Sequence, residues 1–176
     1  MQDIDRLTSD SEIFEIIETP ESINMLFSSA MDNVDRACNE SIRFLMDFFQ
    51  GLDCAEEIDC YEGVDCSECF RTHIFSIQLV MREGLTNAVR HGNRLNVLKK
   101  VRCSVQVNPE QVLHIEIEDE GKGFNWAKEQ NKDISEMDDS LDHGRGLVIM
   151  EQYFSRYWYN ESGNKLVLEK QIPLKP

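Results

Sequence analysis

Basic charge is scarce in this chain. Its 176 residues carry 18 lysines and arginines against 33 acidic residues, a formal net charge of -15. Such a surface repels the phosphate backbone of nucleic acids and the face of an anionic membrane, so no nucleic acid and no membrane is expected as partner. A protein or a small molecule is. Long apolar runs are missing as well, for no stretch approaches the roughly 18 apolar residues of a membrane span. The opening MQDIDRLTSD lacks the basic start and apolar run of a secretory leader, which predicts a cytosolic, cytoplasmic location. No internal repeat is visible, and the length suits one globular domain over residues 1–176, since domains commonly run about 100 to 150 residues.

Also absent is the doubled Cys-x-x-Cys of a zinc ribbon. The chain has six cysteines, Cys38, Cys54, Cys60, Cys66, Cys69 and Cys103, and without a secretion signal they are expected as reduced thiols. Four fall in CAEEIDCYEGVDCSEC, with His73 four residues after Cys69. A metal site is conceivable there, yet only Cys66 and Cys69 have the tight spacing. The plainer reading is an acidic loop over residues 51–69 with inert thiols.

What is present is strong periodicity. SEIFEII has the length and apolar content of a short first strand. Thr19, Pro20 and Glu21 then have the chemistry of a helix start: a capping hydroxyl, a proline for the first helical position and an acid for the positive end of the dipole. From there to Phe49, Ile23, Phe27, Ala30, Val34, Ala37, Phe44 and Phe48 keep near a 3.5-residue repeat. One long helix is predicted, its stripe facing either the core or a second copy. A second helix is expected over residues 71–91, with Ile74, Ile77, Met81, Leu85 and Ala88 on one side. VRCSVQV and VLHIEIED alternate with period two around Asn108-Pro109-Glu110, an antiparallel hairpin. Residues 125–143 are polar and aperiodic, a mobile loop. GRGLVIMEQYF opens a third helix, and SRYWYN and KLVLEKQIPL flank the turn ESGN as a last hairpin.

Three polar clusters stand at element ends. In REGLTNAVRHGN, Glu83, Asn87 and His91 recur every fourth residue, one polar stripe drifting about 40° per step. Gly84 sits inside that helix at a cost of about 1 kcal/mol relative to alanine, which suggests a close approach. Asp119, Gly121 and Gly123 end a strand as DEGKGF, and Gly144 and Gly146 open a helix. Each alone reads as an ordinary turn or solvated face. In this order, ExxxN, DxGxG, polar loop, GxG resembles the ATP site of the GHKL superfamily, which includes gyrase, histidine kinases and MutL. REGLTNAVRHGN, DEGKGF and HGRGLVIMEQY further resemble the anti-sigma-factor serine kinases, across residues 14–173. The longer, cysteine-rich segment 51–69 departs from that pattern.

The resemblance implies an α+β fold of the Bergerat ATP-binding type, a two-layer α/β sandwich whose mixed, mostly antiparallel sheet is covered by helices on one face. It implies ATP and magnesium as cofactors. Asn87 would be the magnesium ligand, a neutral amide beside phosphates and waters. Asp119 would accept a hydrogen bond from the adenine amine, with Gly121 and Gly123 letting backbone pass the nucleotide. Gly144, Arg145, Gly146 and Leu147 would bring a helix N-terminus to the phosphates, with 125–143 as the lid. Glu83 is then the candidate general base, against the alternative of a solvated helix residue. The implied partners are a sigma factor or other regulatory protein, an anti-sigma antagonist as substrate, and a second copy in a homodimer. A nucleotide-dependent binding module without kinase activity is the other function, and a detached histidine-kinase domain lacks a phosphoacceptor helix.

Overall fold

The computed structural model describes residues 13–51, 66–129 and 143–172. Strands β1 (Phe14–Thr19), β2 (Ser22–Ser28), β3 (Lys100–Val107), β4 (Val112–Asp119), β5 (Arg156–Tyr159) and β6 (Lys165–Gln171) form one sheet in the order β1-β2-β3-β4-β6-β5. Every pairing is antiparallel, so the expected mixed component contributes no parallel pair among the described residues.

Period-two alternation fixes the register. Ile23, Val105, Ile115 and Leu168 stand side by side across four strands, and Met25, Cys103, Ile117 and Leu166 form the next row. All eight are buried. The alternate positions Asn24, Arg102, Gln106 and Glu118 point the other way, as a half-buried sheet requires. Helices α1 (Met31–Gly51), α2 (Cys66–Asn87) and α4 (His143–Tyr153) join the apolar rows in a single core through Val34, Leu45, Ile77, Met81, Leu85 and Met150. A short helix, α3 (Trp126–Glu129), follows the turn after β4.

The N-terminal expectation is corrected. Thr19, Pro20 and Glu21 do not open a helix; they turn β1 into β2. The Thr19 hydroxyl does cap, accepting the Ser22 N–H at 3.1 Å, but the bond closes a hairpin. Ile23 and Phe27 satisfy a four-residue spacing and a two-residue one alike, and buried Met25 between them shows which period folds. The long helix therefore begins at Met31, where Asn33 Nδ2 donates to the Ser28 carbonyl at 2.9 Å.

The second helix also ends otherwise than its spacing suggests. After Asn87 the chain widens into one π-helical turn, Ala88–Gly92. That extra residue breaks the four-residue stripe, leaving His91 exposed and bringing Gly92 inward. Cys66 and Cys69 fall in the first turns of α2, while Cys54 and Cys60 lie outside the described residues. Among the described residues no cluster of three His, Cys, Asp or Glu is placed to hold a metal.

Candidate functional site

The site grows from one strand's alternation. Leu113, Ile115 and Ile117 face the core, so the next inward position of β4 belongs to Asp119. Its carboxylate is thereby half-buried on the helix side of the sheet, and burial raises its pKa above the ordinary aspartate value. Oδ1 accepts the Gly121 N–H at 2.7 Å. Oδ2 accepts no hydrogen bond from the described residues. That is a half-buried acceptor packed against Gly92.

Two asparagines hold this aspartate. Asn164, after the ESG turn, donates Nδ2 to the Asp119 carbonyl at 2.8 Å and accepts its N–H at 2.9 Å. Asn93 is almost fully buried and joins four segments through one residue. Its Nδ2 donates to Ser29 Oγ at 2.6 Å and to the Lys100 carbonyl at 2.8 Å; its Oδ1 accepts the Glu120 N–H at 2.9 Å; its own N–H reaches the Ala88 carbonyl at 2.8 Å. The π turn, the end of β2, the start of β3 and the DEGKGF loop thus share one anchor. Asn93 has no motif to mark it, because two of its partners, Ser29 and Glu120, are 64 and 27 residues away.

Glycines set the closeness of packing, and their neighbours are protein. A side chain at Gly92 would strike the Asp119 carboxylate, and one at Gly121 would strike the Gly92 carbonyl. Gly123 has φ +64° and lies against the Ser162 carbonyl, as Gly163, φ +71°, lies against that of Phe124. The two turns cross backbone on backbone. Gly84 has a similar reason: a Cβ there would meet Ile117 and Leu166 at 2.9 Å. The close approach foreseen at Gly84 is that of two core side chains, and Gly121 and Gly123 lie against backbone of this chain.

Glu83 and Asn87 lie on successive turns of α2, with Asn87 Nδ2 at 3.5 Å from Glu83 Oε1. Across from them stands the start of α4. A Cβ on Gly146 would fall 2.6 Å from Glu83 Oε1, so a side chain there would force the carboxylate out of its present place. Leu147 is half-buried against the core. Gly144 and Arg145 belong to the first turn of α4, and the Arg145 side chain lies outside the description. Residues 130–142, most of the expected lid, lie outside it too.

Tyr159 closes the floor. Paired with Leu166 at the edge of the sheet, it takes its phenol pKa upward from burial first and then from the carboxylates of Asp119 and Glu83. Phe124 stands edge-on to it at 4.8 Å between ring centroids, and Trp126 lies 5.2 Å away. Chemically, the arrangement offers a hydrogen-bond acceptor in an apolar setting at one end and a carboxylate with a neutral amide at the other. Asn87 and Glu83 are oxygen donors of the kind a hard divalent cation takes. The donor set fits a magnesium nucleotide.

The family model for the histidine kinase-like ATPase domain matches residues 59–170, which contain every residue of the site just described except Ser29. No curated protein matches the chain.

Proposed function

The chain belongs to the histidine kinase-like ATPase family, and from that premise we propose that it is an ATP-dependent serine/threonine-protein kinase and anti-sigma factor. It would bind a sigma factor or similar regulator and phosphorylate a serine on an anti-sigma antagonist. The observation that carries the reading is the convergence of Glu83 and Asn87 on α2, Gly146 on α4 and Asp119 on β4 at one end of the sheet.

In this reading Asp119 Oδ2 takes the hydrogen bond of the adenine amine, a contact guanine cannot offer from its carbonyl. Asn87 supplies a magnesium ligand, and Gly144, Arg145, Gly146 and Leu147 bring the α4 N-terminus to the phosphates. Magnesium, when bound, offsets charge on the phosphates and aligns them. Glu83 accepts the proton of the serine hydroxyl as its oxygen bonds to the γ-phosphorus and ADP departs with the bridging oxygen. The reading includes a symmetric homodimer through β1 and α1; β1 is an edge strand with Ile17 70% exposed, which favours a covering partner. A concentration-independent monomer mass in sedimentation would remove that part.

The test is single-turnover transfer of labelled γ-phosphate to the cognate antagonist. Glu83→Gln keeps size and reach without basicity, so nucleotide affinity should hold while transfer falls about 10²- to 10⁴-fold. Transfer at the wild-type rate would make the carboxylate structural. Intact ATP and antagonist binding by the wild type with no transfer at all would turn the reading into a nucleotide-dependent binding module.

A further inference from the structure

We propose that the loop of residues 94–98, with Arg90 beside it, is a docking knob for an acidic, apolar segment of a partner protein. The loop joins the π turn to β3, and it stands apart from the rest of the molecule in charge. Residues 84–109 hold five of the 18 basic residues and none of the 33 acidic ones. Among the described residues Arg90 and Arg94 form no ion pair, whereas Arg43, Arg82, Arg156 and Lys165 each engage a carboxylate. What sets Arg90 and Arg94 apart is their setting: among the described residues they stand unpaired in a 26-residue stretch without a single carboxylate of its own.

The apolar residues of the loop are as unusual. Leu98 is 71% exposed, Leu95 53% and Val97 40%, three neighbours outside the core on one short connection. Their presentation is held in place. Arg94 and Leu95 both have left-handed backbone, φ +58° and +57°, which is costly for side chains of this kind. The shape persists because Leu95 N–H donates to the Val89 carbonyl at 2.9 Å, Leu98 N–H to Asn96 Oδ1 at 3.1 Å and Lys99 N–H to the Asn96 carbonyl at 2.9 Å. A preformed knob loses little freedom on binding, and leucine with arginine suits a pocket rimmed by carboxylates. A net charge of -15 repels an extended anionic bilayer over the whole facing surface, whereas a short acidic segment meets only this basic loop within a screening length of about 8 Å, which favours protein over membrane as the occupant.

Chemical-shift mapping on the full chain tests this with three probes: an acidic amphipathic peptide of about four helical turns with leucine on one face and glutamate between, its lysine counterpart, and vesicles of about 30% phosphatidylserine. The acidic peptide should shift the amides of residues 90–100 and bind more weakly as salt rises. Leu95→Ser with Leu98→Ser should weaken it at least ~10-fold, leaving nucleotide affinity and the thermal midpoint in place. Arg90→Gln with Arg94→Gln should flatten the salt dependence, a readout that loop stability alone would not move. Absence of binding at millimolar acidic peptide, equal binding of the lysine peptide, shifts confined to other surfaces, or preference for the vesicles would each overturn the proposal.

Discussion

At the scale of the residue, the informative feature is a charge in a slot built for a hydrocarbon. Asp119 takes the inward position that continues Leu113, Ile115 and Ile117, and burial holds its pKa up. A folded-state pKa above the unfolded one means that folding binds a proton as pH falls between them, so this group lowers stability at neutral pH and the penalty fades towards acid. Asp119→Asn keeps the acceptor for the Gly121 N–H and drops the desolvated charge. It should therefore unfold in urea at an equal or higher midpoint than wild type at pH 7, with the gap closing near about pH 4, while ATP affinity falls at least ~10-fold. Lower stability together with unchanged affinity would show the carboxylate to be a packing group. Burial acts in the same direction on Cys38 and Cys103, where desolvation raises the Cys38 thiol to about 11 and Cys103 further still, so both stay neutral at pH 7. Neither should react with iodoacetamide until the chain unfolds. The place of Asp119 at the end of a strand was legible because a short motif carries it. The role of Asn93 was not, since an amide hub is defined by partners up to 64 residues away.

Elements were legible where one period stood alone. The β3–β4 hairpin appears where strict alternation puts it, the β5–β6 hairpin around its ESGN turn and α4 after its glycines, while α2 is found with its start moved to Cys66 and its end to Asn87. The β1–β2 hairpin was misread because Thr19 and Pro20 serve a turn as well as a helix start, and because Ile23 and Phe27 fit both periods. The π turn has no signature in apolar spacing at all. Gly84 shows how an element's own preference yields to its neighbours. In an isolated helix Gly84→Ala gains about 1 kcal/mol. Here the added methyl meets Ile117 and Leu166 at 2.9 Å, and forcing it into a packed layer costs about 1–3 kcal/mol. The clash should win, so Gly84→Ala is expected to lower the urea midpoint and to move α2 off the sheet, carrying Glu83 and Asn87 with it. A stabilised variant with unaltered nucleotide affinity would show that the sheet yields more readily than its apolar rows suggest.

At the scale of the whole molecule, the site is assembled from parts that meet only in the fold. Glu83 and Asn87 come from α2, Asp119 from β4, Gly146 from α4 and Tyr159 from β5, and Asn93 ties the first two of these elements together. A ligand that touches α2, β4 and α4 at once binds the native state alone, so it must raise the stability of the entire chain. With ATP at about 100 times its dissociation constant the gain is about 2.7 kcal/mol. For a domain of this size that corresponds to a rise in thermal midpoint of about 5–10 °C. Because Asn87 is the assigned magnesium ligand, the rise should require the metal and shrink when EDTA is added. Asn87→Ala should abolish most of the magnesium-dependent part and keep the smaller, metal-independent part contributed at Asp119, whereas Asp119→Asn should lose both. Equal shifts for ATP and GTP in the wild type would take the adenine contact away from Asp119, and a shift of the same size in Asn87→Ala and wild type would take the metal away from Asn87.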